Sequence, residues 1–182
     1  NINKELTILG IGNKDNIKII DSNTKYENTI FILEKTSIEN VTIESEYGNA
    51  IHIFTAMDVL IKNCNVISIK GRAISIIGSS DFIFKNCFIK SPDLCIFYDS
   101  HFDIGGKVTD SKIECDYGYC IRIIKNGIIT FIGCDFVNNS NHCTCICNES
   151  IIKIKNCNFY KKLDKDNVFF LDNALNCNAV YL

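Results

Sequence analysis

A short alternating apolar run that ends on asparagine recurs along the chain at nearly constant spacing. Residues 81–89 read Asp-Phe-Ile-Phe-Lys-Asn-Cys-Phe-Ile, and the same phrase stands at residues 59–66, 129–136 and 152–159. Weaker copies surround Asn16, Asn40, Asp110 and Asn176. Aligned on these copies, the pivot position holds Asn16, Asn40, Asn63, Asn86, Asp110, Gly133, Asn156 and Asn176, at steps of 24, 23, 23, 24, 23, 23 and 20 residues. A period of this size is the mark of a repeat architecture. Every pivot is Asn, Asp or Gly. Those types enter the left-handed backbone region readily, where other residues lose about 1–2 kcal/mol.

The flanks of the pivot say what kind of bend it makes. Two residues before it stand Ile38, Ile61, Phe84, Val108, Phe131 and Ile154; three after it stand Ile43, Val66, Ile89, Ile113, Phe136 and Phe159. The residues between, such as Lys62, Lys85, Lys112 and Lys155, are mostly polar. Alternation on both sides of one left-handed residue predicts two strands meeting at a one-residue corner. A further apolar ladder precedes each pivot by about ten residues, at residues 50–53, 73–76, 94–97, 120–123, 143–146 and 168–171. Three short strands per unit of about 23 residues predict an all-β, right-handed, single-stranded parallel β-helix of about seven coils. At about 4.8 Å per coil it would form a rod roughly 35 Å long.

The apolar-x-Asn-small-x-apolar corner resembles that of the pectate-lyase-like β-helix superfamily, over nearly the whole chain. The resemblance implies fold but not activity, because one scaffold hosts lyases, hydrolases, adhesins and viral fibres. A leucine-rich repeat shares the period, but it needs one strand per unit and a Leu-rich spacing. This chain is rich in Ile and Phe, and strands flank the Asn on both sides.

A chain of 182 residues is expected to form a single domain. Its net charge of −2 is interspersed, and Arg72 and Arg122 are its only arginines, so it lacks the basic footprint of a nucleic-acid partner. No apolar run approaches a membrane span, and no targeting leader is visible. The first coil, with Gly10 and Gly12 breaking its strand, shows no capping helix. The chain is therefore expected to be a segment of a longer protein, capped by neighbouring sequence or by a stacked subunit. Pro92 marks a turn into the next strand. Gly105-Gly106, with Asp110-Ser111 in place of Asn-Cys, predicts a local bulge. Residues 114–119, 137–142 and 160–167 are the longer connections, where a solenoid places function if it has any; residues 160–167 read as a solvated turn.

The cysteine count is eleven. Cys64, Cys87, Cys134, Cys157 and Cys177 follow the pivot directly, an inward position that calls for a small apolar side chain, filled elsewhere by Val41 and Ser111. Stacked one coil apart, their Cβ atoms are farther from one another than a disulfide allows, so they read as core thiols. Eleven free thiols favour a reducing or anaerobic setting. Cys143, Cys145 and Cys147 alternate, and the register of the neighbouring isoleucines places them on the outside with Cys95 and Cys120, beside His142. Cys143, Cys145 and Cys120 are then the candidate ligands for a soft metal, although no Cys-x-x-Cys turn supports them. An outer apolar stripe of these cysteines with Ala50, Phe54, Ala73, Ile77, Phe97, Ile124 and Phe170 fits an interface better, and self-association through this face is expected.

The resemblance also implies where chemistry would sit: an acidic cluster holding calcium with an Arg or Lys base in the lyases, or Asn-Thr-Asp and Asp-Asp sets in the hydrolases. This chain has neither set. The outward third-strand positions hold His52, Ser75, Phe97, Arg122, Cys145 and Phe170. Arg122 is expected to pair with Asp99 one coil away, and His52, three coils from Arg122, is too far to cooperate with it. No catalytic residue and no cofactor is assigned. The ligand or interface surface is expected at His52, Phe97, Asp99, Tyr117 and Arg122, with Asp93 and Asp116 as nearby acids. Tyr98, Tyr117 and Tyr119 are candidates to stack on sugar. The function that fits is a structural or binding solenoid of a larger surface, adhesin-like or virion-fibre protein. The alternative is a carbohydrate-active lyase or hydrolase. The compartment is not specified by the sequence.

Overall fold

The computed structural model describes residues 1–22, 27–78, 81–100, 105–140, 142, 144–161, 169–172 and 178–181, with backbone alone for residues 161, 169–172 and 178–181. Among these residues, short strands follow one another in threes and stack on the strands of the next coil, forming three sheets of eight, seven and seven strands. All the pairings are parallel, as in Val59–Lys62 on Phe82–Lys85, Asn65–Ser68 on Phe88–Ser91 and Arg72–Ile77 on Leu94–Asp99. The chain is a parallel β-solenoid. The first sheet runs from Leu6–Leu9 to Asn178–Tyr181, the second from Lys18–Asp21 to Asn158–Lys161, and the third from Ile30–Ile32 to Phe169–Asp172.

The corner between the first and second sheets is the asparagine pivot. Asn40, Asn63, Asn86, Asp110, Gly133 and Asn156 all have φ between 51° and 62°. The side-chain amides of three of them form a chain along the rod. Asn86 Nδ2 donates to Asn63 Oδ1 at 3.1 Å, Asn63 Nδ2 to Asn40 Oδ1 at 2.9 Å, and Asn40 Nδ2 to the carbonyls of Gly10 and Gly12 at 2.9 and 2.7 Å. Asp110 has no amide to extend the ladder. Asn16 departs from the expected pattern: it ends the 3-10 turn Lys14–Asn16 and is not a left-handed corner. The register pairs Leu9 with Glu39 and Lys18 with Thr42, so Gly10 occupies the pivot and residues 11–16 are an insertion at this corner. Asn176 and Cys177 lie outside the described residues.

The residue after the pivot does more than fill space. The thiols of Cys64, Cys87 and Cys134 donate to the carbonyl two residues back, Lys62, Lys85 and Ile132, at 3.1, 3.4 and 3.5 Å. Ser111 makes the same bond to Thr109 at 2.7 Å. Each of these carbonyls also accepts the pivot N–H of the preceding coil, as Lys85 does from Asn63 at 2.9 Å, so the thiol or hydroxyl supplies a second donor to its remaining lone pair. Cys and Ser are interchangeable here because each carries one short donor.

A second ladder holds the corner between the second and third sheets. The hydroxyls of Ser45, Ser68 and Ser91 accept from the backbone N–H groups of Gly48, Gly71 and Leu94 at 3.1, 2.9 and 3.1 Å. Ser68 and Ser91 in turn donate to the carbonyls of Gly48 and Gly71 one coil earlier, at 3.0 and 2.8 Å. A Cβ on Gly71 would collide with the Gly48 carbonyl, so this stacked turn requires glycine.

The core is a column of inward side chains, with Ile38, Ile61, Phe84, Val108 and Phe131 from the first sheet, Ile43, Val66, Ile89, Ile113 and Phe136 from the second, and isoleucines from the third, all fully buried. The expected bulge at Gly105-Gly106 is corrected: Gly105–Thr109 is a regular strand, paired on both sides. Gly106 lies next to Phe82 in register, and the Phe82 ring occupies the space where a Gly106 side chain would lie.

Candidate ligand-binding face

The outer face of the third sheet is produced by alternation. Ile51, Ile53, Ile74, Ile76, Ile96, Tyr98, Ile121 and Ile123 point into the core and are fully buried. The residues between them point out. Register aligns Phe31, His52, Ser75, Phe97, Arg122 and Ile146 as one outward column. A second column contains Phe54, Ile77, Asp99, Ile124 and Asn148. Arg72, Leu94 and Tyr119 share a row at the start of the strands.

The expected outward placement of the cysteines is overturned. Cys145 and Cys147 pair in register with Ile121 and Ile123 and are fully buried, and it is Ile146 that faces out. Cys95, Cys120, Ala50 and Ala73 are fully buried too. They stand at the point where the chain enters the sheet from the serine corner, and there two successive side chains face inward, against strict alternation. Cys120 Sγ donates to the Val137 carbonyl at 3.6 Å, and Cys147 Sγ to the Ser150 carbonyl at 3.0 Å. The set proposed for a soft metal therefore does not assemble from Cys120 and Cys145, and Cys143 lies outside the described residues. Among the described residues no group of three or more His, Cys, Asp or Glu side chains is placed to hold a metal ion. The outer apolar stripe is correspondingly narrower than expected, with Phe54, 41 % exposed, its most open member among the described side chains.

Thiols also gather inside the serine corner. Burial pushes Cys95 and Cys120 well above the ordinary thiol range, while the hydrogen bond from Cys95 pulls Cys115 down. Cys95 Sγ donates to the Glu114 carbonyl at 2.9 Å. The nine cysteines placed by the structure are all free.

Charge on the outer face is concentrated at Phe97. The Arg72 guanidinium lies over its ring, 4.4 Å from the centroid. Arg122, exposed, is the in-register neighbour of Phe97 on the other side. Burial, followed by repulsion from Arg122, lowers the Arg72 pKa from its ordinary value, while Asp93 opposes the shift. A guanidinium does not lose its proton in this range, so the two arginines leave a net positive field on a largely apolar face. The ion pair expected between Arg122 and Asp99 is corrected. Asp99 is instead held by Lys125, whose Nζ is 3.3 Å from each carboxylate oxygen. The strand brings Asp99 level with Ile124, and the turn after it swings Lys125 back over the carboxylate.

His52 lies among rings, tilted by 37° to Phe31 at 5.1 Å and nearly parallel to Phe54 at 6.4 Å between centroids. Burial, and then the Arg72 charge, lowers its pKa below the ordinary imidazole value. Its buried Nδ1 has no hydrogen-bond partner among the described residues. Three coils separate it from Arg122, as the spacing predicts. Tyr98, a candidate for sugar stacking, belongs to the core, edge-on to Phe82 at 5.5 Å. Tyr119 lies beside His142 at 5.1 Å between ring centroids, and Tyr117 stands out at 74 % exposure on the turn before it. Asp93 is exposed on the preceding turn, and Asp116 lies 3.6 Å from Lys90. Sequence reasoning missed Arg72 as a member of this face. The signal was present: the only two arginines of the chain stand at strand positions three residues apart in their coils' common register.

An aromatic ring clamped by one guanidinium and flanked by another suits a ligand with an apolar face and an acidic group. Neither the curated proteins nor the solved structures gave a match to this chain. The family described as "Right handed beta helix region" matches residues 25–162, more than half of the chain, and the chain belongs to that family.

Proposed function

We propose that this chain is a non-catalytic binding segment of a larger surface protein, a rigid solenoid that presents the outer face of its third sheet to an acidic glycan. The observation that carries the reading is the Arg72–Phe97–Arg122 arrangement. Sugar rings stack on aromatic faces through their C–H bonds, and a carboxylate or sulfate on the sugar pairs with a neighbouring guanidinium. Tyr119 and the exposed Tyr117 extend this surface toward the turn. The non-catalytic part of the reading is supported by the state of the nearby acids. Asp99 is neutralised by Lys125 and Asp116 lies beside Lys90. Hydrolysis of a glycosidic bond by the usual route needs two carboxyl groups facing each other across the bond.

Calorimetry with neutral and uronate or sulfated oligosaccharides tests the reading. Acidic oligosaccharides are expected to bind. Arg122→Ala is expected to weaken them at least about tenfold, since a charge-assisted hydrogen bond contributes about 1.5–3 kcal/mol. Arg122 is exposed, so its melting temperature should not change. Unaltered binding in Arg122→Ala, or the appearance of cleaved products on incubation, overturns the reading.

A further inference from the structure

The outer face of the first sheet carries a charge pattern that is complementary to itself. The row just before the strands holds Lys35, Asp58 and Asp81 in successive coils, and the row at the strand ends holds Glu39, Lys62 and Lys85. The signs read plus, minus, minus along one row and minus, plus, plus along the other. Between the rows lie Ser37, Leu60 and Ile83, with Ile83 42 % exposed. A groove of about 420 Å³ opens here, lined by Lys35, Ser37, Asp58, Leu60, Asp81 and Ile83 among others. Within the chain, Lys62 meets Glu39 at 2.7 Å and Lys35 meets Glu5 at 3.3 Å. Asp58, Asp81 and Lys85 are exposed.

We propose that this face pairs with a second copy of the chain, side by side and parallel, about a two-fold axis that runs along the rod. Such an axis maps each coil onto the same coil of the partner and reverses the strand direction across the contact. The row before the strands then faces the row at their ends. Lys35 meets Glu39, Asp58 meets Lys62, and Asp81 meets Lys85, each pair occurring twice by symmetry. Leu60 and Ile83 meet their own copies at the centre. The alternative two-fold, across the rod, sets each row against itself with the coils reversed, and a shared centre would bring Asp58 and Asp81 together. Lys107 and Lys153 lie farther along the central column and face their own copies, so the close contact is confined to the first four coils. A contact this small belongs to the weak, concentration-dependent class, and its charge pairs are sensitive to salt. The pairing uses a different sheet from the arginine–phenylalanine face and does not depend on what binds there.

Sedimentation velocity at low ionic strength and under reducing conditions, up to about 1 mM chain, the range of weak association, tests the proposal. The wild type is expected to show a monomer–dimer equilibrium that weakens with added salt. Two charge-reversed variants, Asp58→Lys/Asp81→Lys and Lys62→Asp/Lys85→Asp, are each expected to be monomeric, because each sets like charges across the axis. Mixed together, they are expected to form a one-to-one dimer, since every reversed row then meets its complement. Far-UV circular dichroism of each variant reports that the solenoid is intact, and recovery in the mixture excludes misfolding as the cause of the loss. A wild type that stays monomeric, variants that still dimerise alone, or a mixture that fails to dimerise overturns the proposal.

Discussion

The amide of Asn86 donates to the side-chain carbonyl of Asn63 one coil below, at 3.1 Å, while both residues hold the left-handed backbone of the corner. One residue type thus serves two purposes. Its backbone tolerates the bend, and its side chain ties adjacent coils together along the outside of the rod.

The two contributions separate by substitution. Asn86→Gly keeps the bend and removes the bond to Asn63, and it is expected to cost about 1 kcal/mol, the net worth of one hydrogen bond. Asn86→Val loses the bond and also forces a β-branched residue into the left-handed region, adding about 1–2 kcal/mol. Urea unfolding of the three proteins checks the order. Equal losses for the two variants would mean that backbone strain at the corner contributes nothing.

The donor at the position after the pivot leads to a prediction about polarity. Cys87→Ser should be nearly silent, because Ser111 already makes the equivalent bond one coil away. Cys87→Val should cost about 0.5–1.5 kcal/mol by removing the second hydrogen bond to the Lys85 carbonyl, which keeps the Asn63 N–H, and Cys87→Asp should be far worse than Lys85→Asp, which places its charge in solvent. Thermal melts of the four variants decide. Val better tolerated than Ser would show that only apolar volume matters at this position.

The outcome at these corners shows what the sequence made legible. The period, the three-strand unit and the left-handed pivots could be read because each depends on residue types at fixed spacing. The insertion at residues 11–16 was hidden, since Asn16 matches the pivot type and Gly10 matches it equally well; only pairing of Leu9 with Glu39 decides between them. The serine ladder was present at Ser45, Ser68 and Ser91, 23 residues apart, but buried hydroxyls bonded to turns carry no hydropathy signal. The cysteine assignment failed for a related reason. Strict alternation assumes a pleated strand, and at the serine corner two successive residues turn inward, which shifts Cys95 and Cys120 into the core. Arg122 was placed correctly on the outer face, whereas its expected partner was not, because the turn that returns Lys125 to Asp99 depends on positive-φ residues at Lys125 and Asn126.

Burial of the ladder thiols predicts how stability depends on alkaline pH. Burial pushes both Cys87 and Cys134 up from 9.0 to about 12. Below about pH 9 these thiols are protonated in both the folded and the unfolded chain, so they impose no pH dependence. Between about 9 and 12 the unfolded chain releases protons that the folded chain retains, and stability falls as pH rises. Denaturant midpoints measured from pH 8 upward should decline in the wild type and decline less in Cys87→Ser/Cys134→Ser, since serine does not ionise there. Parallel curves would show that these thiols ionise alike in both states.

Phe82 and Gly106 form a size-matched pair across adjacent strands, and the last prediction follows from that fit. Any side chain on Gly106 would occupy the volume of the Phe82 ring, which is fully buried and stacked 5.0 Å from Phe84. Gly106→Ala is expected to destabilise by about 1–3 kcal/mol through overpacking. Phe82→Leu alone is expected to cost a similar amount, by leaving unfilled space beneath the glycine. Together the two changes exchange volume between neighbours, and the double variant should be more stable than the sum of the single losses predicts. A double-mutant cycle in urea measures that difference, and strict additivity would mean that the ring does not occupy the glycine's vacancy. Recovery would give the Gly-Gly pair a packing role in a regular strand, where the sequence alone suggested a bulge.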